Sequence, residues 1–177
     1  MRKVLFILGQ LSDTDVDWLA SNGRRELVTK GTMLIRSGTH IENMYIVLDG
    51  SMSVLAPNGA SFGTVSSGDI LGEMSFIDAG KTSASIRVDQ DSHVLTISER
   101  VISRKLKDDI PFSARFYRAL AIFLADRMRN TIRRMGFGGD EDDDSDLGEI
   151  DELDANVLDN VHLAGARFER MLKKLAG

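Results

Sequence analysis

Two neighbouring stretches of the chain combine the residue types that bind a small anion. Gly72 and Glu73 open a short run that predicts a helical turn, and Lys81, Thr82 and Ser83 follow shortly afterwards. The first amides of a helix attract an anion, and glycine lets the backbone approach it closely. The lysine can add a point charge, and the two hydroxyls can donate hydrogen bonds. These residue types could therefore contact an anion, although a solvated turn residue is the slightly more common role for Lys81.

The residues that could perform catalysis are scattered along the chain. His40, His93 and His162 lack the spacing of metal ligands, and no Ser-His or paired-carboxylate constellation stands out. Cysteine is absent, which excludes disulfides and thiolate nucleophiles and fits a reducing compartment. The aspartates of residues 140–146 lack the glycine and terminal glutamate of an EF-hand. We therefore expect no catalytic residue, no metal site, no cofactor and no enzyme activity.

Residues 25–98 must supply the frame that positions the anion-binding groups. Short runs rich in Val, Ile, Leu and Thr alternate there with turn residues such as Asp49-Gly50 and Ser67-Gly68. Evenly spaced short strands of this kind indicate a barrel or a jelly roll. The candidate strands are Leu27–Lys30, Met33–Arg36, Met44–Leu48, Met52–Leu55, Phe62–Val65, Ser83–Val88 and His93–Ile97.

Helical signals flank the strands on both sides. Ser12 can cap a helix that ends near Asn22, and Glu99–Asp108 has the pattern of a short helix. Pro111 can open a long helix that reaches about Met135. One stripe of this helix has the alternating spacing of a two-helix seam, and its members are Tyr117, Ala121, Leu124, Met128, Thr131 and Met135. Packing of the first half against the helix's own domain remains an equal alternative.

The composition changes abruptly after the long helix. The chain has a net charge of −5, and residues 140–154 alone contain ten acidic residues and no basic one. Such a stretch cannot bury enough apolar surface to order itself, so we predict an acidic linker over residues 136–152. Residues 153–177 then predict an amphipathic tail helix, whose stripe is Val157, Val161, Ala164, Phe168, Met171 and Leu175.

The apolar stripe of the tail helix needs a surface to cover it. It could dock on the chain's own barrel, pair with a second copy or bind an unidentified protein partner. Because the tail follows a predicted linker, we expect the barrel to stay folded when residues 140–177 are deleted.

A set of glycines and short motifs carries a family resemblance. Its members are Gly31, Ile35, Gly38, the run YIVLDG at 45–50, Val54, GDILGE at 68–73 and SASI at 83–86. In order and spacing they resemble the cyclic nucleotide-binding domain, of the kind found in catabolite activator proteins and protein kinase regulatory subunits. The resemblance covers about Leu11 to Met135. It implies a mainly β fold with flanking helices, built as an antiparallel β jelly-roll barrel over residues 1–135.

The resemblance also implies ligand contacts at the start of the predicted turn. Glu73 is similar to the family glutamate that accepts the ribose 2′-hydroxyl of a cyclic nucleotide, such as cyclic AMP. Gly72 and Met74 belong to the turn that surrounds the phosphate. On the long helix, Thr131 falls where the family places a threonine that contacts adenine across the dimer seam, although a small polar seam residue is an equal alternative. We therefore expect a homodimer through residues 111–135.

One position departs from the family pattern. Thr82 stands where the family has an arginine that forks onto the phosphate, and threonine supplies one hydroxyl instead of a charged fork. Truncating one partner of a buried charge pair commonly costs about 2–5 kcal/mol, so binding is expected to be weak. Lys81, Ser83 and Ala84 lie beside it, and Ser83 matches a phosphate-contacting hydroxyl of the family. Arg87 lies on the same strand face, where a surface role is the more common one.

The remaining expectations concern partners and location. Residues 136–177 are few and begin with a strongly acidic stretch that repels phosphate backbones, so we expect no winged helix-turn-helix and no DNA binding. No apolar run approaches the roughly 20 residues that span a bilayer, so we expect no membrane segment and a cytoplasmic protein.

Two functions from different classes follow from these patterns. The first is a regulatory sensor that binds a cyclic mononucleotide and signals through the long helix to a partner. The second is a degenerate cyclic nucleotide-binding fold that acts as a ligand-independent scaffold for protein interactions. Gly72, Glu73 and Ser83 favour the sensor, whereas Thr82 and the tail helix favour the scaffold.

Overall fold

The computed structural model describes residues 4–78, 80–134 and 155–176, which contain six helices and eight strands. The helices are α1 (Val4–Gln10), α2 (Asp13–Asn22), α3 (Glu73–Asp78), α4 (Glu99–Asp108), α5 (Ile110–Arg134) and α6 (Ala155–Ala176). The strands are β1 (Arg24–Val28), β2 (Met33–Ile35), β3 (Asn43–Asp49), β4 (Ser51–Leu55), β5 (Ser61–Ser66), β6 (Ile70–Leu71), β7 (Ser85–Val88) and β8 (Ser92–Ser98).

The strands of the described chain form two antiparallel sheets of four strands each. The first sheet has the order β1-β8-β3-β6 and the second has the order β2-β7-β4-β5. Strands that alternate in this way between two facing sheets have the arrangement of a jelly roll. The prediction of a mainly β fold with flanking helices is therefore confirmed. One correction is needed, because the two sheets form a jelly-roll-like sandwich and do not close into a barrel.

Apolar side chains fill two layers of the molecule. One layer lies between the two sheets and includes Val47, Met52 and Ile86. The other lies between the first sheet and the helices, and it includes Met44 of β3 and Phe116 of α5. Strand β3 contributes to both layers because successive side chains of a strand point to opposite faces. Apolar packing in the second layer therefore holds the helices against the first sheet of the sandwich.

Asp15 links the N-terminal helices to the long helix. Its carboxylate accepts a bond from the Ser12 amide at 2.7 Å, and the Ser12 hydroxyl accepts one from the Asp15 amide at 3.2 Å, which makes a capping box. The same carboxylate accepts two bonds from Arg115 of α5, at 2.6 and 2.9 Å. The helix signal at Ser12 is thus confirmed, and its acidic first turn also orients α5.

Helix α5 has an inner and an outer face. The inner face buries Phe112, Phe116 and Phe123 in the helix-side core, and the Phe112 amide donates to Asp109 at 2.9 Å at the start of the helix. The predicted seam residues Tyr117, Ala121, Met128 and Thr131 are exposed on the outer face, whereas Leu124 packs against the core. Met135 lies outside the described residues.

The strands differ from the predicted ones by more than one residue at three places. Strand β1 begins at Arg24, because its polar first residues pair with the buried strand β8. The two-residue strand β6 was not predicted, since Ile70–Leu71 is too short to show a period. The run predicted from Ser83 becomes a strand at Ser85, because Thr82 is bonded to the loop after β2: its amide donates to Thr39 O at 2.9 Å.

Helix α6 packs against α1 and α2. Ala164 and Met171 are fully buried in the helix-side core, and Phe168 and Leu175 pack against it. The tail stripe therefore docks on the chain's own domain, which was one of the three predicted alternatives. The expectation that the barrel stays folded without residues 140–177 remains a prediction, and this deletion would uncover the part of the helix-side core that α6 covers. The side chains of Val157 and Val161, and the predicted linker 136–152, lie outside the described residues.

Candidate functional site

An open cleft lies where α3 and α5 meet the end of the sandwich. Its cavity volume is about 50 Å³, and it opens to solvent. The described residues that line it are Ile35, Leu71, Gly72, Glu73, Met74, Thr82, Ser83, Ala84, Ile86 and Arg127. Six of the eight predicted ligand-binding residues are therefore brought together in one place, from segments that are ten residues apart in the chain.

Gly72 is required by the backbone at the floor of the cleft. Its φ of +89° lies in the left-handed region that favours glycine. A β-carbon at this position would lie 2.6 Å from Ile41 Cδ1 and 2.9 Å from the carbonyl oxygen of Asn43. The tight bend lets β6 end and α3 begin at the next residue, so that Glu73 starts a helix inside the cleft.

Glu73 is buried and paired with α5. Only 2% of its surface is exposed, and its Oε1 accepts a bond from Arg127 Nη1 at 2.6 Å. Burial raises the pKa of Glu73, and the nearby Asp69 adds to the rise, whereas Arg127 opposes it. A buried carboxylate at the wall of an open cleft can accept a hydrogen bond from a ligand hydroxyl. Here the carboxylate also connects the cleft to the long helix through Arg127.

The segment around Thr82 forms the opposite wall. The Thr82 hydroxyl lies 2.5 Å from the Arg36 carbonyl oxygen and 3.1 Å from that of Thr39, so it bonds to the loop after β2. Ser83 and Ala84 line the cleft beside it, and Ser83 is exposed. Lys81 is exposed and lies outside the cleft wall. The single hydroxyl at position 82 is thus used in holding the loop.

The other predicted positions lie nearby on the surface. Met74 lines the cleft and is exposed. Thr131 is exposed on α5, where its hydroxyl donates to the Arg127 carbonyl at 2.9 Å, one helical turn after the arginine that pairs with Glu73. Arg87 forms an ion pair with Asp89 at 3.5 Å, as expected for a surface strand residue.

Arg127 is the site residue that the sequence analysis did not single out. The sequence shows it as one of several arginines on the second half of the long helix, where the position of each relative to the cleft is not visible. One signal was present, because Arg127 lies one helical turn before Thr131 and therefore on the same helix face. The same face of α5 carries both residues toward the end of α3.

No group of three or more metal-ligating side chains occurs within the described ranges 4–78, 80–134 and 155–176. None of the helices described is long and apolar enough to cross a membrane.

The groups that converge on the cleft are a carboxylate, a guanidinium, hydroxyls and backbone amides. Together they suit a ligand with both an anionic group and a hydroxyl.

The glycine bend and the buried glutamate lie at a cleft at one end of the jelly-roll-like sandwich. Residues 25–109 match the family model of the cyclic nucleotide-binding domain. The resemblance seen in the sequence is thereby confirmed. The family binds cyclic nucleotides, and it is regulatory rather than catalytic.

Solved structures share the fold. A cyclic nucleotide-binding domain from Methylobacillus flagellatus has a TM-score of 0.68 and 22% identity, covering 78% of this chain and 84% of the other. The catabolite activator protein of Thermus thermophilus has a TM-score of 0.59 and 24% identity, covering 72% and 60% respectively. The likeness extends beyond residues 25–109 and includes flanking helices.

A curated relative is an uncharacterized NTE family protein of Mycobacterium tuberculosis. It is 29% identical over 129 residues, which are 72% of this chain and 22% of the relative. The chain thus spans about a fifth of the length of the curated relatives that it matches. In those proteins the matching segment is one part of a much longer polypeptide.

Proposed function

We propose that this protein is a regulatory sensor module that binds a cyclic mononucleotide, with cyclic AMP as the first candidate, and signals through α5 to a partner. Binding is weak because position 82 has no charged fork. The proposal concerns a ligand and a signal, and it assigns no catalytic residue to the chain.

The observation that carries the proposal is the placement of Glu73. It is buried, it directly follows the bend at Gly72, and it lies at the wall of a cleft that Ser83 and Ala84 also line. A ribose hydroxyl can donate a hydrogen bond to the carboxylate, while the backbone amides of the facing segments can donate hydrogen bonds to the phosphate. Asp15 is also a buried carboxylate bonded to an arginine, but Glu73 differs from it in bordering an open cleft.

The pair between Glu73 and Arg127 supplies the route to the long helix. A ligand that engages the carboxylate changes the surroundings of the pair between Glu73 and Arg127 and so favours one position of α5 over another. The outer face of α5 exposes Tyr117, Met128 and Ile132, with 62% of Met128 accessible. An apolar stripe at helical spacing suits a parallel copy of α5, and we propose a homodimer through it.

Calorimetric titration with cyclic AMP and cyclic GMP tests the proposal. The full chain should give weak, saturable heat with at least one nucleotide. Glu73→Ala should abolish it, and Thr82→Arg should strengthen it by adding a charged fork. Thr64→Ala, a change at an exposed position of β5 outside the cleft lining, serves as the control. Absence of heat from the wild type and from Thr82→Arg alike would reject the sensor.

A second candidate is favoured by one observation. The Thr82 hydroxyl is bonded to carbonyls of the loop after β2, which leaves the former arginine position without a group for a phosphate. A fold that has lost its ligand can still serve as a ligand-independent scaffold. In that case the exposed face of α5 is the better interaction surface, because the apolar stripe of α6 is covered within the domain.

A further inference from the structure

The positively charged side chain in the cleft comes from α5 and not from the segment around Thr82, where the family has its arginine. Among the described residues that line it, Arg127 is the only basic side chain. It comes from α5, whereas the segment around Thr82 contributes no charge to the wall. A monoanionic ligand entering this cleft therefore meets one guanidinium, and that guanidinium belongs to the long helix.

The guanidinium of Arg127 has donors to spare for a ligand. A guanidinium carries five N–H donors in a planar fork, and among the described residues the bond to Glu73 uses one of them. Its carbon lies 5.9 Å from the ring centre of Phe123, which supports the planar group from one side. About 35% of the Arg127 side chain remains exposed, so the fork is accessible from the cleft.

The chemistry of the ligand places its charge near this fork. In a 3′,5′-cyclic nucleotide the 2′-hydroxyl and the cyclic phosphate are attached to adjacent ribose carbons. A carboxylate that binds the hydroxyl therefore lies close to the phosphate, and the two negative charges repel each other at short range. A guanidinium bonded to the carboxylate can bridge both anions and remove this repulsion.

We infer that Arg127 supplies the phosphate contact that Thr82 does not, an inference that rests on the proposed function of the cleft. Arg127 then bridges Glu73 and the phosphate. Because the phosphate acts on a residue of α5 itself, ligand charge and helix position are directly linked. The remaining neighbours of the phosphate, Ser83 and Ala84, contribute uncharged groups.

A double-mutant cycle on the full chain tests the inference, with cyclic AMP as the probe and calorimetry as the readout. The four proteins are the wild type, Arg127→Gln, Thr82→Arg and the double variant. Arg127→Gln should lower the affinity roughly 30-fold or more, the loss typical of truncating one partner of a buried charge pair. The factor by which Thr82→Arg raises the affinity should be at least about tenfold larger in the Arg127→Gln background than in the wild type, because the new arginine then replaces the missing guanidinium of Arg127.

Two controls keep the outcomes distinct. Thr82→Val removes the hydroxyl bond to the loop without adding charge, so it measures the cost of releasing that loop. Circular dichroism reports whether Arg127→Gln is folded, and Arg127→Lys replaces it in the cycle if it is not.

The possible results separate the inference from the function on which it rests. Equal factors for Thr82→Arg in both backgrounds, in a wild type that binds, would overturn the role of Arg127 and leave the sensor intact. Such additivity is the result expected if Arg127 only orients Glu73. Absence of binding in the wild type and in Thr82→Arg would reject both.

Discussion

Two of the sets of ion pairs that join helices to this domain differ in burial and in neighbours. The pair between Glu73 and Arg127 is nearly inaccessible on its acidic side and borders an open cleft. The pairs between α6 and α2 join Arg167 to Asp13 at 2.7 Å and Arg170 to Asp17 at 2.6 Å; their carboxylates are accessible to solvent, and they lie above a filled apolar core.

The difference indicates separate roles for the two sets. Exposed pairs are screened by water and contribute little, so α6 is held mainly by the apolar residues beneath them. Burying Glu73 costs solvation, which a single pair with a partly exposed arginine does not fully offset. The pair between Glu73 and Arg127 is therefore best explained by ligand binding. The pairs between α6 and α2 align a helix that apolar packing already holds.

The strongest way to sharpen this comparison is to neutralise Glu73. Glu73→Gln keeps the shape of the side chain and removes its charge, so ligand affinity should fall at least about 30-fold. The melting temperature should stay the same or rise, because burial of the charged form is unfavourable. Titration calorimetry and thermal unfolding measure the two effects. A large fall in melting temperature would show that the pair serves stability instead.

The next prediction concerns the apolar contacts of α6. Met171 is fully buried, so Met171→Ala should lower the free energy of unfolding by about 2–5 kcal/mol. The matched control is Leu163→Ala on the same helix, where 50% of the side chain is exposed and the expected change is below about 0.5 kcal/mol. Chemical denaturation compares them. Equal effects would mean that α6 is not docked on α1 and α2.

A smaller effect is expected from the surface pairs. Arg170→Ala should destabilise the protein much less than Met171→Ala, and the difference from the wild type should shrink as salt is added. Arg167→Ala should have the larger effect of the two arginines, because Arg167 also donates to the Leu8 and Gly9 carbonyls at 3.1 and 3.2 Å. A salt-independent loss in Arg170→Ala would contradict this account.

The smallest predicted effect is an opposite pH dependence of the two regions. Burial raises the pKa of Glu73. The protonated side chain therefore favours the folded state at low pH, and this stabilisation is lost as the pH rises through the folded-state pKa. The bond from Arg170 lowers the pKa of Asp17, so its contribution is present above the usual aspartate range and is lost as the pH falls. Melting temperatures of Glu73→Gln and Asp17→Asn, each compared with the wild type across the acid range, should therefore change in opposite directions.

The sequence predicted the parts of this molecule that depend on local signals. The capping residues at Ser12, the helix Glu99–Asp108 and the glycine before Glu73 are each determined by neighbours within a few positions. The family motifs then located six residues of the cleft wall. These features could be found because their physical causes lie within one element.

The features that were missed depend on contacts between distant segments. The pairing of Arg127 with Glu73 joins residues 54 positions apart, and the contact of Arg167 with Asp13 joins residues 154 apart. An arginine on an amphipathic helix has the same local pattern whether it reaches a cleft or the solvent. The docking of α6 was likewise left open, because an apolar stripe shows that a helix needs a cover but does not identify it.

The most direct test of the central claim is an amide NMR titration of the full chain with cyclic AMP. The account predicts saturable shifts at Gly72, Glu73, Ser83 and Ala84, accompanied by shifts on α5 around Arg127, while the amides of α6 from Leu163 onward stay unchanged. Cleft amides that do not move at any ligand concentration, or shifts confined to α6, would contradict it.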